Sequence, residues 1–115
     1  MATNTFKRKF STNIGTTATA VGGYQVLLDI QTTAIGLSLA NVASSQITVS
    51  VTLNTQAGDT VHIIKDAPIP SGGALIPIGG DQKVVMEHND QIKVVSDTAS
   101  SVDAILSILE IDTST

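Results

Sequence analysis

Hydrophobic and polar residues alternate with period two along much of the chain, and such stretches mark strands. The cleanest runs from Gln46 to Asn54. Ile47, Val49, Val51 and Leu53 fall on one face there, and Thr48, Ser50 and Thr52 on the other. Thr32–Val42 alternates too, with Ala34, Gly36, Ser38 and Ala40 opposite Ile35, Leu37 and Leu39. The polar link Ala43-Ser44-Ser45 between these two runs predicts a hairpin. Residues 16–21 and Tyr24–Leu28 predict two short strands around Gly22-Gly23. Thr60–Lys65 predicts a strand that ends at Asp66-Ala67-Pro68-Ile69-Pro70, because proline donates nothing to a ladder. Ala74–Ile78, interrupted by Pro77, predicts an edge strand. Gln82–Glu87 and Gln91–Ser96 predict a second hairpin turning at His88-Asn89-Asp90.

Two segments read less directly. Val102–Ile111 permits a helix, since Ile105, Leu106 and Leu109 lie three or four apart. It also reads as a strand buried on both sides, and no other segment is helical, which favours strand. Near the start, Phe6, Arg8 and Phe10 alternate with Lys7 and Lys9. That pattern suits a short edge strand or a tail that orders on a neighbour. The expected organisation is an N-terminal arm over residues 1–15 and a β-sandwich domain over residues 16–115. The fold class is all-β: a single-domain antiparallel β-sandwich of about seven to nine short strands, jelly-roll or Ig-like Greek key.

Composition sharpens this picture. Val, Ile and Thr supply 39 of the 115 residues, and such stiff side chains suit a pleated surface. Without cysteine, a disulfide scaffold and a Cys-ligated metal site are both excluded. Aromatics are limited to Phe6, Phe10 and Tyr24, too few for a platform that stacks single-stranded nucleic acid. A net charge of −4 also disfavours nucleic acid as a partner. From Ser11 to Gly58 the only charged residue is Asp29, whereas residues 59–115 hold nine acidic and three basic residues. Hydroxyls take the place of ions on such a surface, and hydroxyls are buried against another protein more cheaply. The basic start has no apolar stretch behind it, so a signal peptide is not expected. The apolar runs are too short to span a bilayer, so no membrane is expected either.

Candidate chemistry is sparse. His62 in a strand and His88 in a turn would need carboxylates to complete a zinc site. The acidic residues sit mainly in turns and strand ends, where Asp caps its own backbone. There is no calcium loop, no nucleophile elbow and no phosphate-binding glycine loop. No catalytic residue, metal ligand or cofactor site is therefore assigned. Lys7-Arg8-Lys9 suits a solvated edge, or a contact with phosphate or an acidic partner.

From Asp66 to Val95 the residues Pro68, Pro70, Gly72, Gly73, Leu75, Gly79, Gly80, Lys83, Val84, Val85, Met86, Asp90, Ile92 and Val94 form a recurrent pattern. It resembles small virion proteins of tailed bacteriophages, especially those of cyanophages. The paired strands of residues 33–53 and the closing segment AILSILEI look similar to the same group, so the resemblance covers most of residues 16–111. It departs at Val26–Ile30, where such proteins often carry a Pro-containing turn. The matching motifs are turns and strands, not a catalytic signature.

The resemblance implies a non-enzymatic structural subunit of a phage virion: a capsid decoration or cement protein, or a neck or tail accessory. The alternative is a carbohydrate- or receptor-binding module of a tail fibre or baseplate. The expected partners are other copies of itself and a larger virion protein, such as a major capsid, neck or tail protein. The expected location is the virion, after synthesis in the host cytoplasm. Two contact regions are expected: arm anchors at Phe6, Lys7, Arg8, Lys9 and Phe10, and the low-charge strand face at Thr48, Ser50 and Thr52.

Overall fold

The computed structural model describes residues 3–113, so the outermost ends of the expected arm and sandwich lie outside the described residues. Nine strands form: β1 (Thr3–Ile14), β2 (Thr19–Ala20), β3 (Ile30–Asn41), β4 (Ile47–Asn54), β5 (Thr60–Ile69), β6 (Ala74–Ile78), β7 (Val84–Met86), β8 (Gln91–Ser96) and β9 (Val102–Asp112). A 3₁₀ turn at Val21–Gly23 follows β2. One sheet has the order β1-β9-β3-β6, with β7 also paired to β3; the other has the order β2-β8-β4-β5. All pairings between these strands are antiparallel.

The pairs are nested: β1 with β9, β2 with β8, β3 with β6 and β7, and β4 with β5. Successive pairs fall alternately in the two sheets. A nested antiparallel ribbon rolled into two sheets is a jelly-roll, which decides between the two expected topologies. The core lies between the sheets. Leu37 and Leu39 of β3 and Leu106 and Ile108 of β9 meet Val49 and Val51 of β4 and Ile92 and Val94 of β8 there.

This nesting corrects both expected hairpins. β3 and β4 belong to different sheets, as do β7 and β8. Alternation gives the face a residue points to, and two runs with matched alternation can face one another across a core as readily as sit side by side. The β3–β4 corner is tied by buried Asn41. Its amide donates to the carbonyls of Ser45 and Ile69 (2.9 Å each), and its Oδ1 accepts the Ala43 N–H (2.8 Å). The β7–β8 corner is tied by Asp90, whose carboxylate accepts the Glu87 N–H at 2.9 Å.

Other boundaries move for local reasons. The first expected strand shrinks to Thr19–Ala20. Tyr24–Leu28 joins no ladder; Val26 bonds instead to the backbone of the second corner, at Asn89 and Asp90. β5 continues through Pro68 and pairs it with Thr48. The proline is tolerated because β5 is an edge strand. A bulge at Asp66, with φ of 50°, absorbs an extra residue in that ladder. β7 is only three residues long.

β3 holds the most instructive departure. Thr32 and Ala34 point inward before Ile35, and Leu37, Leu39 and Asn41 point inward after it. Ala34 pairs with Ile108 and Gly36 with Ser107, so Ile35 is the extra residue of a bulge that reverses the alternation. Three other expectations agree with the structure. Ile47, Val49 and Val51 are buried, and Leu53 is partly buried against them. β6 is an edge strand, and residues 102–111 are strand rather than helix.

Candidate interaction surface

Residues 3–14 run as β1, the outermost strand of the larger sheet, paired with β9 from Thr3↔Asp112 to Ile14↔Val102. Its side chains divide as their alternation suggests. Phe6, Arg8 and Phe10 stand on the outer face beside Leu109, Ser107 and Ile105 of β9. Phe6 is 73% exposed and Phe10 57%. The Arg8 guanidinium lies 6.0 Å from the Phe10 ring centroid, the outer limit of a cation–π contact.

Lys7 and Lys9 turn the other way, toward the body of the domain. Lys7 Nζ is 2.8 Å from Glu110 Oε1, and Lys9 Nζ stands 5.7 Å from the Tyr24 ring centroid. The Tyr24 hydroxyl donates to Glu110 Oε2 at 2.6 Å. That uses its one proton, so the contact with Thr32 Oγ1 at 2.7 Å is one in which threonine donates. Burial, followed by the carboxylate it donates to, holds the Tyr24 phenol above its ordinary range. For Glu110, burial is the largest single influence and pushes its pKa up. The bonds from Lys7 and Tyr24 and the charges of Lys7 and Lys9 together outweigh it, so the carboxyl sits below its ordinary value. Among the described residues, no buried side-chain nitrogen or oxygen lacks a hydrogen-bond partner.

The registers carry the outer face across the whole sheet. One row runs Phe6, Leu109, Thr33, Val85 through β1, β9, β3 and β7. Another runs Phe10, Ile105, Ser38, and between them lies Arg8, Ser107, Gly36. In these three rows the one ionised side chain is Arg8. Val85, Ile105 and, on β6, Ile76 are all large exposed hydrophobics. Ser107 is small, and with Phe6, Arg8 and Ile35 it lines a shallow furrow. The sequence reading named Phe6 and Phe10 but missed Val85, Ile105 and Ile76. A strand whose outer face is bare and one covered on both sides have the same apolar run, and β9 was read as the second kind.

Thr48, Ser50 and Thr52 lie on the outer face of the smaller sheet. Thr48 and Thr52 are half-buried; Ser50 is buried, and its Oγ accepts the Asp66 N–H at 3.0 Å. Lys93 and His62 flank Thr52 in the neighbouring strands, so ionisable groups stand beside this row. At the loop end, Thr55, Gln56, Ala57, Asp59, Glu87, His88 and Asp90 line an open polar cleft of about 590 Å³. Among the described residues, no group of three or more His, Asp or Glu is arranged to hold a metal ion. No helix among them is long and apolar enough to cross a membrane.

The fold and its exposed sheet face define a jelly-roll domain with an apolar, almost uncharged flank. No protein-family profile matches the chain, and no curated protein sequence matches it. Solved structures do. One is a chain from Bacillus endospore appendages, which are disulfide-linked pili: TM-score 0.58, 12% identity, covering 99% of this chain and 89% of that one. Another is a chain of the acid-stable capsid of the Helicobacter pylori bacteriophage KHP30: TM-score 0.50, 11% identity, covering 96% and 93%. At these identities the likeness is one of fold.

Proposed function

We propose that the protein is a non-enzymatic structural subunit of a phage virion, a capsid decoration or a neck or tail accessory. It acts by protein–protein contact with copies of itself and with a larger virion protein. The observation that carries this reading is the outer face of the larger sheet, where Phe6, Phe10, Ile76, Val85 and Ile105 stand exposed together. Exposed apolar side chains grouped on one sheet face with little charge mark an interaction site. Both structural neighbours come from assemblies of protein subunits, a pilus and a phage capsid, and the sequence resemblance to phage virion proteins points the same way. The pili are disulfide-linked, whereas this chain has no cysteine, so disulfides do not join its copies.

The hydroxyl row of β4 serves as the second contact, with Thr48 as its accessible test position. Val85→Lys and Thr48→Lys each put a charge on one of the two faces without touching the core. Both variants melt like wild type in this reading. Val85→Lys weakens self-association in sedimentation, and Thr48→Lys fails to incorporate into particles. Imaging of the particle then locates the subunit on head, neck or tail. Normal association and incorporation of both variants would overturn the reading. The polar cleft around Asp59, Glu87 and Asp90 favours a carbohydrate- or receptor-binding module as second reading, tested by glycan binding to wild type and Asp59→Asn.

A further inference from the structure

β1 is the longest edge in the fold and contributes almost nothing to the core. Of its twelve residues only Ile14 is buried; Lys9 and Ser11 are half-buried and the rest are exposed. Its neighbour β9 is the opposite case, with Ala104, Leu106 and Ile108 all in the core. The core side chains from residue 14 onward are thus nearly complete without residues 3–13, yet β9 needs a strand along that edge to satisfy its backbone.

The junction between the two parts is sharp. Ile14 and Gly15 are held to the body by backbone bonds from Ser101 and Ser96 (2.9 Å each). Immediately before them the ladder breaks between Ser11 and Ile14, and Asn13 has φ of 55°, in the left-handed region. A break in the ladder beside a left-handed Asn gives the chain a hinge, and hinges are where elements exchange between copies. Four further tethers of β1 are made to groups that a second copy carries identically. These are Glu110 for Lys7, Tyr24 for Lys9, Asp103 for the Asn13 N–H, and the Gly22 N–H for Ser11.

We propose that β1 is an exchangeable strand: copies of this protein join by seating β1 of one, swung about Thr12–Asn13, on β9 of the next. The partner is a second copy of this chain, and the surface it meets is the β9 edge from Ala104 to Asp112. Complementarity needs no new design, because register, ion pair and hydrogen bonds are those already formed within one chain. The outer-face rings Phe6 and Phe10 travel with the strand, so exchange also makes the apolar flank continuous between copies. The inference rests on the self-assembling reading above and specifies how assembly is made.

The absence of cysteine makes the test direct. Arg8 and Ser107 are register partners on the outer face, away from the core. Arg8→Cys and Ser107→Cys are prepared singly, mixed unfolded, refolded together at assembling concentration, and joined with a short bis-maleimide. Exchange gives a product of doubled denatured mass linked between residues 8 and 107. The double variant in the same associated fraction gives cross-linked multimers. If the protein associates but the double variant closes only within single chains and the mixed singles give no 8–107 product, exchange is overturned while self-assembly stands. If links form between two residues 8, the strands lie side by side and exchange is likewise overturned. If wild type shows no association by sedimentation at any concentration, the self-assembling reading itself falls, and the exchange with it.

Discussion

Replacing Lys7 by methionine keeps an aliphatic stem on the edge of the larger sheet and removes the ammonium 2.8 Å from Glu110. The carboxylate stays buried, with the Tyr24 hydroxyl still donating to it. Hydrogen bonds to charged groups contribute about 1.5–3 kcal/mol net. The Lys7 side chain is 45% exposed, so solvent screening brings the expected loss to roughly 1–2 kcal/mol. In a domain of this size that lowers Tm by about 5–10 °C at pH 7. The pH dependence has a definite sign. The folded-state pKa of Glu110 lies below its ordinary value of 4.5, so its contribution is complete above that value and is lost as pH falls through the folded one. The penalty of Lys7→Met is therefore full at neutral pH and fades in acid. In the variant, burial is less opposed and Glu110 titrates higher than in wild type. Thermal melts of wild type, Lys7→Met, Glu110→Gln and the double variant at pH 7 and pH 3 isolate the coupling. A coupling below about 0.5 kcal/mol at pH 7, or one equal at both pH values, would refute the argument.

Three further outcomes test the packing. Val51→Asp, at a fully buried site between Ile64 and Val94, abolishes folding, since an unpaired buried carboxylate costs several kcal/mol; Thr52→Asp, beside Lys93, stays folded. Equal melting behaviour of the two would contradict the inward register of β4. Asn41→Ala strands the Ile69 carbonyl and the Ala43 N–H at the β3–β4 corner and costs about 2–4 kcal/mol in urea titration, whereas Asn54→Ala, at a part-exposed strand end, costs under about 1 kcal/mol. Gly22→Ala places a Cβ 2.8 Å from that of Lys9 at a φ of 62°; a loss of about 1–3 kcal/mol, with faster amide exchange along β1, is the expected result. Unchanged exchange there would mean that the 3₁₀ turn does not brace the edge.

The strands with unbroken alternation were legible in the sequence. Ile47, Val49 and Val51 sit inward as read, because nothing interrupts period two between Gln46 and Asn54. In β3 one extra residue, Ile35, reverses every side chain after it, and neither Ala-Ile-Gly nor any neighbour announces the bulge. Pro68 misled because a proline ends a central strand but not an edge strand, and edge position is a property of the assembled sheet. The same limit explains the surface. Phe6 and Phe10 stood out as rings among lysines. Val85 and Ile105 are ordinary strand residues whose exposure follows from the described residues placing no layer on the outer side of the larger sheet. Ser50 was read as surface because it alternates with core valines; the bulge at Asp66 brings a backbone N–H onto its hydroxyl.

The nesting of strands also imposes an order on the growing chain. β4 and β5 are joined by a short turn and can pair soon after synthesis, whereas β1 has no partner until residues 102–112 have been made. Contacts so distant in sequence form late and slowly. Through that interval twelve residues of extended chain, two of them phenylalanine, remain unpaired and prone to stack on other nascent copies. Lys7, Arg8 and Lys9 occupy the middle of this segment, between the two rings. Their mutual repulsion acts as a gatekeeper while the strand waits, and once β9 arrives Glu110 neutralises one of the three.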